Sequence, residues 1–146
     1  MSDFRKVSDR FSASPQIGLE DVAEAARLGF TMIVNNRPEG ESSDQTEGAA
    51  IEQAARAAGL DYAAIPVTHA GFSEAQVEEL AHTLAAARGP VLAYCRSGTR
   101  STLLWALAQA RQGADAEAIA QAAAGAGYDV APILPALRML SARRAD

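Results

Sequence analysis

One short segment of the sequence combines a nucleophile with groups that bind anions. Cys95 attacks most strongly as a thiolate, and a helix beginning near Arg100 points its free N–H groups and positive dipole end at the preceding loop. Gly98 lets the backbone curl so that several N–H groups face inward, and a guanidinium matches the shape of an oxyanion. The Ser101 hydroxyl is expected to donate to the sulfur. We therefore predict Cys95 and Arg100 as catalytic residues, with the substrate anion held by their neighbours, namely Arg96, Ser97, Gly98, Thr99 and Ser101.

Short apolar runs alternate with alanine-rich helical stretches along the chain. This alternation predicts an α/β fold of three layers, in which a mainly parallel central sheet of about four strands carries helices on both faces. Ligands of such sheets bind outside the carboxyl ends of the strands, which is where Cys95 falls. The length fits a single catalytic domain over residues 1–146. The predicted strands include 30–35, 61–67 and 91–94, and the predicted helices cover 19–28, 46–58, 73–88, 101–112, 115–124 and 133–142.

Two loops at the same predicted edge of the sheet supply accessory candidates. The polar loop 36–47 follows a strand, and its Arg37 is a candidate second contact for the anion, with Glu39 or Glu41 orienting Arg37 or the active-loop arginine. The alternative is a simple turn built from asparagine, proline and glycine. His69 lies in the loop after the next strand and is a candidate proton donor, whereas a solvent-facing histidine is the alternative.

The active loop resembles the loops of two enzyme groups. The string from Cys95 to Ser101 resembles that of single-domain rhodaneses, sulfurtransferases whose cysteine carries sulfane sulfur as a persulfide. The Asp-x-Arg and Gly-Ile-Pro-Gly strings usual upstream in rhodaneses are absent. Cysteine-dependent phosphatases place five residues between the cysteine and the arginine, whereas this chain has four. Residues 62–67 resemble the strand before the acid loop of dual-specificity phosphatases, but residues 68–70 contain no aspartate where those enzymes carry one.

Over nearly its whole length the chain resembles the bacterial family of the β-lactamase-hydrolase-like phosphatase-type domain. That resemblance implies a tyrosine-phosphatase-like fold. Members are described both as phosphatases and as sulfurtransferases, and some are fused to a metallo-β-lactamase-fold enzyme that oxidises persulfides. For this chain, such a partner enzyme would be a separate protein. The matching pieces are residues 16–17, 33–41, 58–60, 65–67, 89–101 and 126–129.

Three functional hypotheses follow, and sulfur transfer is the first. In that hypothesis Cys95 takes sulfane sulfur from thiosulfate or a persulfide, which needs no strong acid because sulfite and thiolates are good leaving groups. The alternative is a phosphatase that hydrolyses a phosphate ester through a phosphocysteine and requires a proton donor such as His69. The third hypothesis is a non-enzymatic module for anion binding or redox sensing.

Composition narrows the classes of partner. A net charge of −5 and a pI of about 5.0 argue against a nucleic-acid partner. One cysteine and two histidines argue against a disulfide or a structural zinc site, and we expect no metal and no cofactor. The apolar stretch 102–110 is too short to span a bilayer, and no signal-peptide pattern is found, so the expected location is cytoplasmic. The sequence is compatible with a homo-oligomer.

Overall fold

A five-stranded sheet forms the centre of the computed structural model, which describes residues 2–145. The strand order is β1-β2-β5-β3-β4, and every neighbouring pair except the β1–β2 hairpin is parallel. The predicted α/β fold with a mainly parallel sheet is confirmed; the ends of the predicted domain, Met1 and Asp146, lie outside the described residues. The strands are β1 (Arg5–Ser8), β2 (Phe11–Ser14), β3 (Met32–Asn35), β4 (Asp61–Ala64) and β5 (Val91–Tyr94).

Helices cover both faces of this sheet, as the alternating sequence pattern predicts. On one face, Ile33 and Tyr94 pack with the helices that contain Val22 and Ile51. The other face carries the larger core, to which the remaining helices contribute. The helices are α1 (Leu19–Arg27), α2 (Gly48–Ala57), α3 (Glu74–Ala86), α4 (Thr99–Arg111), α5 (Ala116–Gly125) and α6 (Leu134–Ala145), with a short 3-10 turn at Ala131–Ile133 before α6.

The N-terminal hairpin was not predicted from the sequence. β2 pairs in parallel with β5, so the strand that leads to Cys95 has neighbours on both sides. The missed pattern is a period of two: Phe11 and Ala13 lie in the larger core, with Ser12 between them and Ser14 after them, which is the alternation of a strand. Short strands of this kind are stabilised by the sheet that they join rather than by their own propensity.

Several element ends differ from the prediction for local reasons. The predicted strand 61–67 ends at Ala64, because Pro66 has no N–H to continue the regular pairing. Ile65 and Val67 still donate backbone hydrogen bonds to the carbonyls of Asn35 and Asn36. Helix α4 begins two residues earlier than predicted, directly after Gly98. The predicted capping box of α3 is present, with Ser73 Oγ accepting from the Gln76 N–H.

Residues 2–145 contain neither a membrane-spanning helix nor a cluster of metal-binding side chains. No helix there combines the length and the apolar character required to cross a bilayer. In the same residues, no group of three or more histidine, cysteine, aspartate or glutamate side chains is arranged to hold a metal ion.

Candidate active site

Cys95 lies at the centre of the carboxyl edge of the sheet. It follows β5 directly, and its N–H donates to the Ser14 carbonyl at the end of β2, at 3.3 Å. On the other side, the Asn36 N–H donates to the Tyr94 carbonyl, at 2.8 Å. The cysteine is therefore fixed between two neighbouring strand ends, and its side chain is fully buried, with 0 % exposed.

The loop after Cys95 turns one backbone donor onto the sulfur. The Gly98 N–H donates to Cys95 Sγ, with 3.1 Å between nitrogen and sulfur. Gly98 has a φ of +93°, in the left-handed region, and a Cβ at this position would lie 2.1 Å from Tyr128 Oη. Only glycine fits here, because a side chain would be both strained and in collision. The Gly98 carbonyl accepts from Thr102, so the same residue starts α4.

The guanidinium of Arg100 is held on the side of the sulfur by three hydrogen bonds. Nη1 donates to Glu41 Oε2 and to the Val67 carbonyl, both at 2.7 Å, and Nη2 donates to Glu41 Oε1 at 2.9 Å. Hydrogen bonding to Glu41 raises the pKa of Arg100, and the nearby Cys95 sulfur raises it further, against the opposing effect of burial. Arg100 is therefore a permanent cation next to Cys95.

Glu41 bridges two arginines. Its Oε1 also accepts from Arg37 Nε, at 2.9 Å. Hydrogen bonds from Arg100 first, and from Arg37 second, lower the pKa of Glu41 from 4.5 to about 2, although partial burial opposes the shift. Glu41, from the loop 36–47, is therefore an ionised carboxylate that connects Arg37 and Arg100. Glu39 has a different place, because its Oε1 accepts the N–H of Gly48 at the start of α2, at 2.8 Å.

Arg37 is buried, with 5 % exposed, and all three of its guanidinium nitrogens donate to protein acceptors. Beyond Glu41, Nη1 donates to Gln16 Oε1 at 2.9 Å and Nη2 to Ser42 Oγ at 3.2 Å. The sequence predicted a second anion contact here. In the structure this arginine instead holds the loop and Glu41 in position.

The remaining predicted site residues lie at different depths. Arg96, Ser97 and Thr99 are exposed on the outer side of the loop, where Ser97 Oγ donates to Thr99 Oγ1 at 3.0 Å. Ser101 is fully buried, and its hydroxyl has no hydrogen-bond partner within the described residues, so the expected bond from Ser101 to the sulfur is not formed. The sulfur accepts the Gly98 N–H instead.

His69 stands at the rim of the site. Its side chain is 83 % exposed, and its Nε2 lies 4.0 Å from Glu41 Oε2. The solvent-facing alternative therefore describes its exposure, and the role of proton donor stays a prediction.

Two further residues contact the active loop. Tyr128 Oη donates to the Ser97 carbonyl at 3.2 Å, and this tyrosine lies within residues 126–129 that resemble the family. Gln16 binds both sides of the site, since its N–H donates to the Arg96 carbonyl and its Oε1 accepts from Arg37. Neither contact has a signal in sequence spacing, because each joins segments far apart in the chain.

Comparison with known proteins places this site within a family. The family model described as the phosphatase-like domain of beta-lactamase hydrolase-like protein matches residues 3–112. This chain belongs to that family. Beta-lactamase hydrolase-like proteins from Xylella fastidiosa and Agrobacterium fabrum are 36% and 35% identical to it over 107 and 108 residues, or 73% and 74% of this chain. The chain spans only 25% of the length of each of these curated relatives.

Solved structures confirm the tyrosine-phosphatase-like fold. A candidate phosphatase from Neisseria meningitidis is 32% identical, with a TM-score of 0.84 over 96% of this chain and 99% of its own. TpbA from Pseudomonas aeruginosa is 20% identical, with a TM-score of 0.69 over 99% of this chain and 92% of its own. Tk-PTP is 17% identical, with a TM-score of 0.74 over 97% of both chains. The last two likenesses establish the fold alone.

Proposed function

We propose that this chain is a cysteine-dependent phosphatase that hydrolyses phosphate monoesters through a phosphocysteine. One observation carries the proposal: on a phosphatase-like fold, Cys95 Sγ accepts a loop N–H and lies beside the Arg100 guanidinium. Family membership and the Neisseria meningitidis structure support the same reaction. This order reverses the sequence-based preference for sulfur transfer.

Arg100 retains the donors that such a reaction requires. An arginine has five N–H donors, and three of them go to Glu41 and Val67. The Nε–H and the second Nη2–H remain, and these two form the side fork that binds two oxygens of one anion. Glu41 can therefore stay on Arg100 while a phosphate binds, which makes it a positioning residue rather than a competitor.

The reaction is a double displacement. Cys95 Sγ attacks phosphorus, an S–P bond forms, and the ester P–O bond breaks with its electron pair on the leaving oxygen. The Arg100 fork and the loop N–H groups stabilise the charge on the transferred phosphoryl oxygens. Water then attacks phosphorus, which releases phosphate and restores the thiolate. Because Cys95 is fully buried, the attack also requires local opening of the residues above the sulfur.

The leaving oxygen needs a proton unless it belongs to a phenol, whose anion leaves readily. His69 is the candidate donor because it stands exposed at the rim, next to the Glu41 carboxylate. Residues 68–70 contain no carboxylate. Aryl phosphates are therefore the substrates that this site suits best. The crystal structure of TpbA with phosphotyrosine bound suggests phosphotyrosine as one to try.

Sulfur transfer is the second candidate, favoured by one particular observation. Four residues separate Cys95 from Arg100, where cysteine-dependent phosphatases have five, and this shorter loop resembles that of single-domain rhodaneses. In this reaction the Cys95 thiolate attacks the outer sulfur of thiosulfate, the S–S bond breaks, and sulfite leaves with the electron pair. An acceptor thiol then takes the persulfide sulfur, and a persulfide-oxidising enzyme would be a suitable partner downstream.

One set of assays separates the two reactions. Wild type, Cys95→Ser and Arg100→Lys are given p-nitrophenyl phosphate, a phosphotyrosine peptide and thiosulfate in parallel, with intact-mass analysis after each. We expect phosphate release by wild type and its loss in both variants. A gain of one sulfur atom on Cys95 without phosphate release would replace the proposal by sulfur transfer. Absence of both reactions in folded wild type would support the non-enzymatic hypothesis.

A further inference from the structure

Both polar groups of the peptide unit between Ser97 and Gly98, its C=O and its N–H, form hydrogen bonds. Its carbonyl oxygen accepts from Tyr128 Oη at 3.2 Å, and its N–H donates to Cys95 Sγ at 3.1 Å. In a trans peptide the C=O and N–H bonds point in opposite directions. The hydroxyl that fixes the carbonyl on one side therefore fixes the direction of the N–H on the other.

Tyr128 is itself held firmly against the loop. Its side chain is buried, with 7 % exposed, and its hydroxyl lies so close to Gly98 that no Cβ fits between them. The Arg5 guanidinium, from the N-terminal strand, lies 5.3 Å from the ring centroid on the other side. Asp3 holds Arg5 through two hydrogen bonds, at 3.1 and 3.3 Å.

We propose that Tyr128 is a positioning residue that directs the Gly98 N–H at the Cys95 sulfur through the Ser97–Gly98 peptide. The inference rests on the proposed role of Cys95 as the nucleophile. Without the hydroxyl, the peptide loses the partner of its carbonyl and is free to rotate, which would turn the oxygen toward the sulfur and disfavour a thiolate. Hydrogen bonding at the carbonyl also polarises the peptide and strengthens its N–H as a donor.

Charged groups of both signs lie around this arrangement, because Glu41 accepts from Arg100 and Asp3 accepts from Arg5. Arg100 of α4 supplies the cation beside Cys95. On the opposite side, Arg5 and its partner Asp3 face Tyr128, which follows α5. Burial raises the pKa of Tyr128 above its ordinary value, so its hydroxyl keeps its proton, and remains a donor, over the range in which a thiol ionises.

The test is the pH profile of the only thiol in the chain. Cys95 is the single cysteine, so ultraviolet absorbance of the thiolate, corrected with Cys95→Ser, reports this residue alone. Tyr128→Phe keeps the ring and removes the hydroxyl, and we expect the midpoint of thiolate formation to move upward by about half to one pH unit. The rate of alkylation by iodoacetamide at a fixed, mildly acidic pH should fall in proportion. Tyr62→Phe, on the opposite face of the sheet, is the matched control and should leave the profile unchanged.

The outcomes distinguish this inference from the proposed function. An unchanged thiolate profile in folded Tyr128→Phe would overturn the positioning role, even if turnover fell. An upward shift with no phosphatase or sulfurtransferase activity in wild type would support the positioning role and reject the proposed function. Equal shifts in Tyr128→Phe and Tyr62→Phe would indicate a general loss of structure and would also overturn the inference.

Discussion

Among the single side chains of the site, Glu41 is the one that connects the two arginines. Its carboxylate accepts hydrogen bonds from Arg37 in the loop 36–47 and from Arg100 at the start of α4, and neither bond uses the Nε–H of Arg100. A guanidinium on a flexible stem would otherwise sample many orientations. Glu41 therefore stabilises the one orientation that presents two donors toward the sulfur.

Replacing this carboxylate tests its positioning role. Glu41→Gln keeps the shape but removes the charge and one acceptor, and we expect kcat/KM to fall by about tenfold or more, the value of a hydrogen bond between charged groups. The measurement is the kinetics of whichever reaction wild type catalyses. Glu52→Gln is the matched control, because Glu52 forms an exposed ion pair with Arg56 on α2. A Glu41→Gln enzyme as efficient as wild type would contradict the role.

The same carboxylate makes stability depend on acid pH. The pKa of Glu41 is lowered from 4.5 to about 2, so its contribution to folding is fully present above pH 4.5 and is lost as the pH falls toward 2. Urea unfolding of wild type and Glu41→Gln at about pH 6 and about pH 3 should show a difference in unfolding free energy that is smaller at the lower pH. A difference that grew on acidification would show that Glu41 is not stabilised as an anion.

At the scale of elements, two helices begin in different ways. Helix α3 has its own cap, since Ser73 Oγ accepts from the Gln76 N–H and Gln76 Oε1 accepts from the Ser73 N–H. Helix α2 is capped from a distance by Glu39, which lies nine residues before Gly48. The first kind of cap is local in sequence, whereas the second requires the loop 36–47 to fold back on the helix.

The local cap gives an element-scale prediction. Ser73→Ala removes one acceptor at the start of α3 and should lower the free energy of unfolding by about 1 kcal/mol. Turnover should be unchanged, because Ser73 contacts none of the active loop. Glu79→Ala, at an exposed position of the same helix, should change stability by less than about 0.5 kcal/mol. Denaturant unfolding measures both, and equal losses would show that the cap adds nothing.

For the whole molecule, the N-terminal hairpin is part of the main core. β2 lies between β1 and β5, and its Phe11 is stacked on Trp105 of α4, with ring centroids 5.6 Å apart. Phe11 is 2 % exposed. The hairpin therefore joins the strand that leads to Cys95 with the helix that carries Arg100.

Truncating that side chain tests the connection. Phe11→Ala should lower the free energy of unfolding by about 3–5 kcal/mol, the usual cost of removing a buried aromatic ring. Leu28→Ala is the control, because Leu28 is 56% exposed and should change stability by less than about 0.5 kcal/mol. Circular dichroism during denaturation measures both. If Phe11→Ala lowered the free energy of unfolding by less than about 1 kcal/mol, the hairpin would not be part of the cooperative core.

The features that depend on residues close together in the chain could be predicted from the sequence. The alternation of strands and helices, the capping box at Ser73, and the loop from Cys95 to Arg100 all follow from local periodicity and spacing. Hydrogen bonds between near neighbours depend on backbone geometry that the residue types dictate, so these predictions needed no knowledge of the chain path.

Contacts between residues far apart in the chain could not be predicted, because they form only in the tertiary structure. Glu41 lies 59 residues from Arg100, and Tyr128 lies 31 residues from Ser97. Such contacts depend on the order of the strands and on the packing of α5 and α6 around α4. No periodicity records them, because a side chain finds a remote partner only after the whole sheet has fixed the positions of both loops.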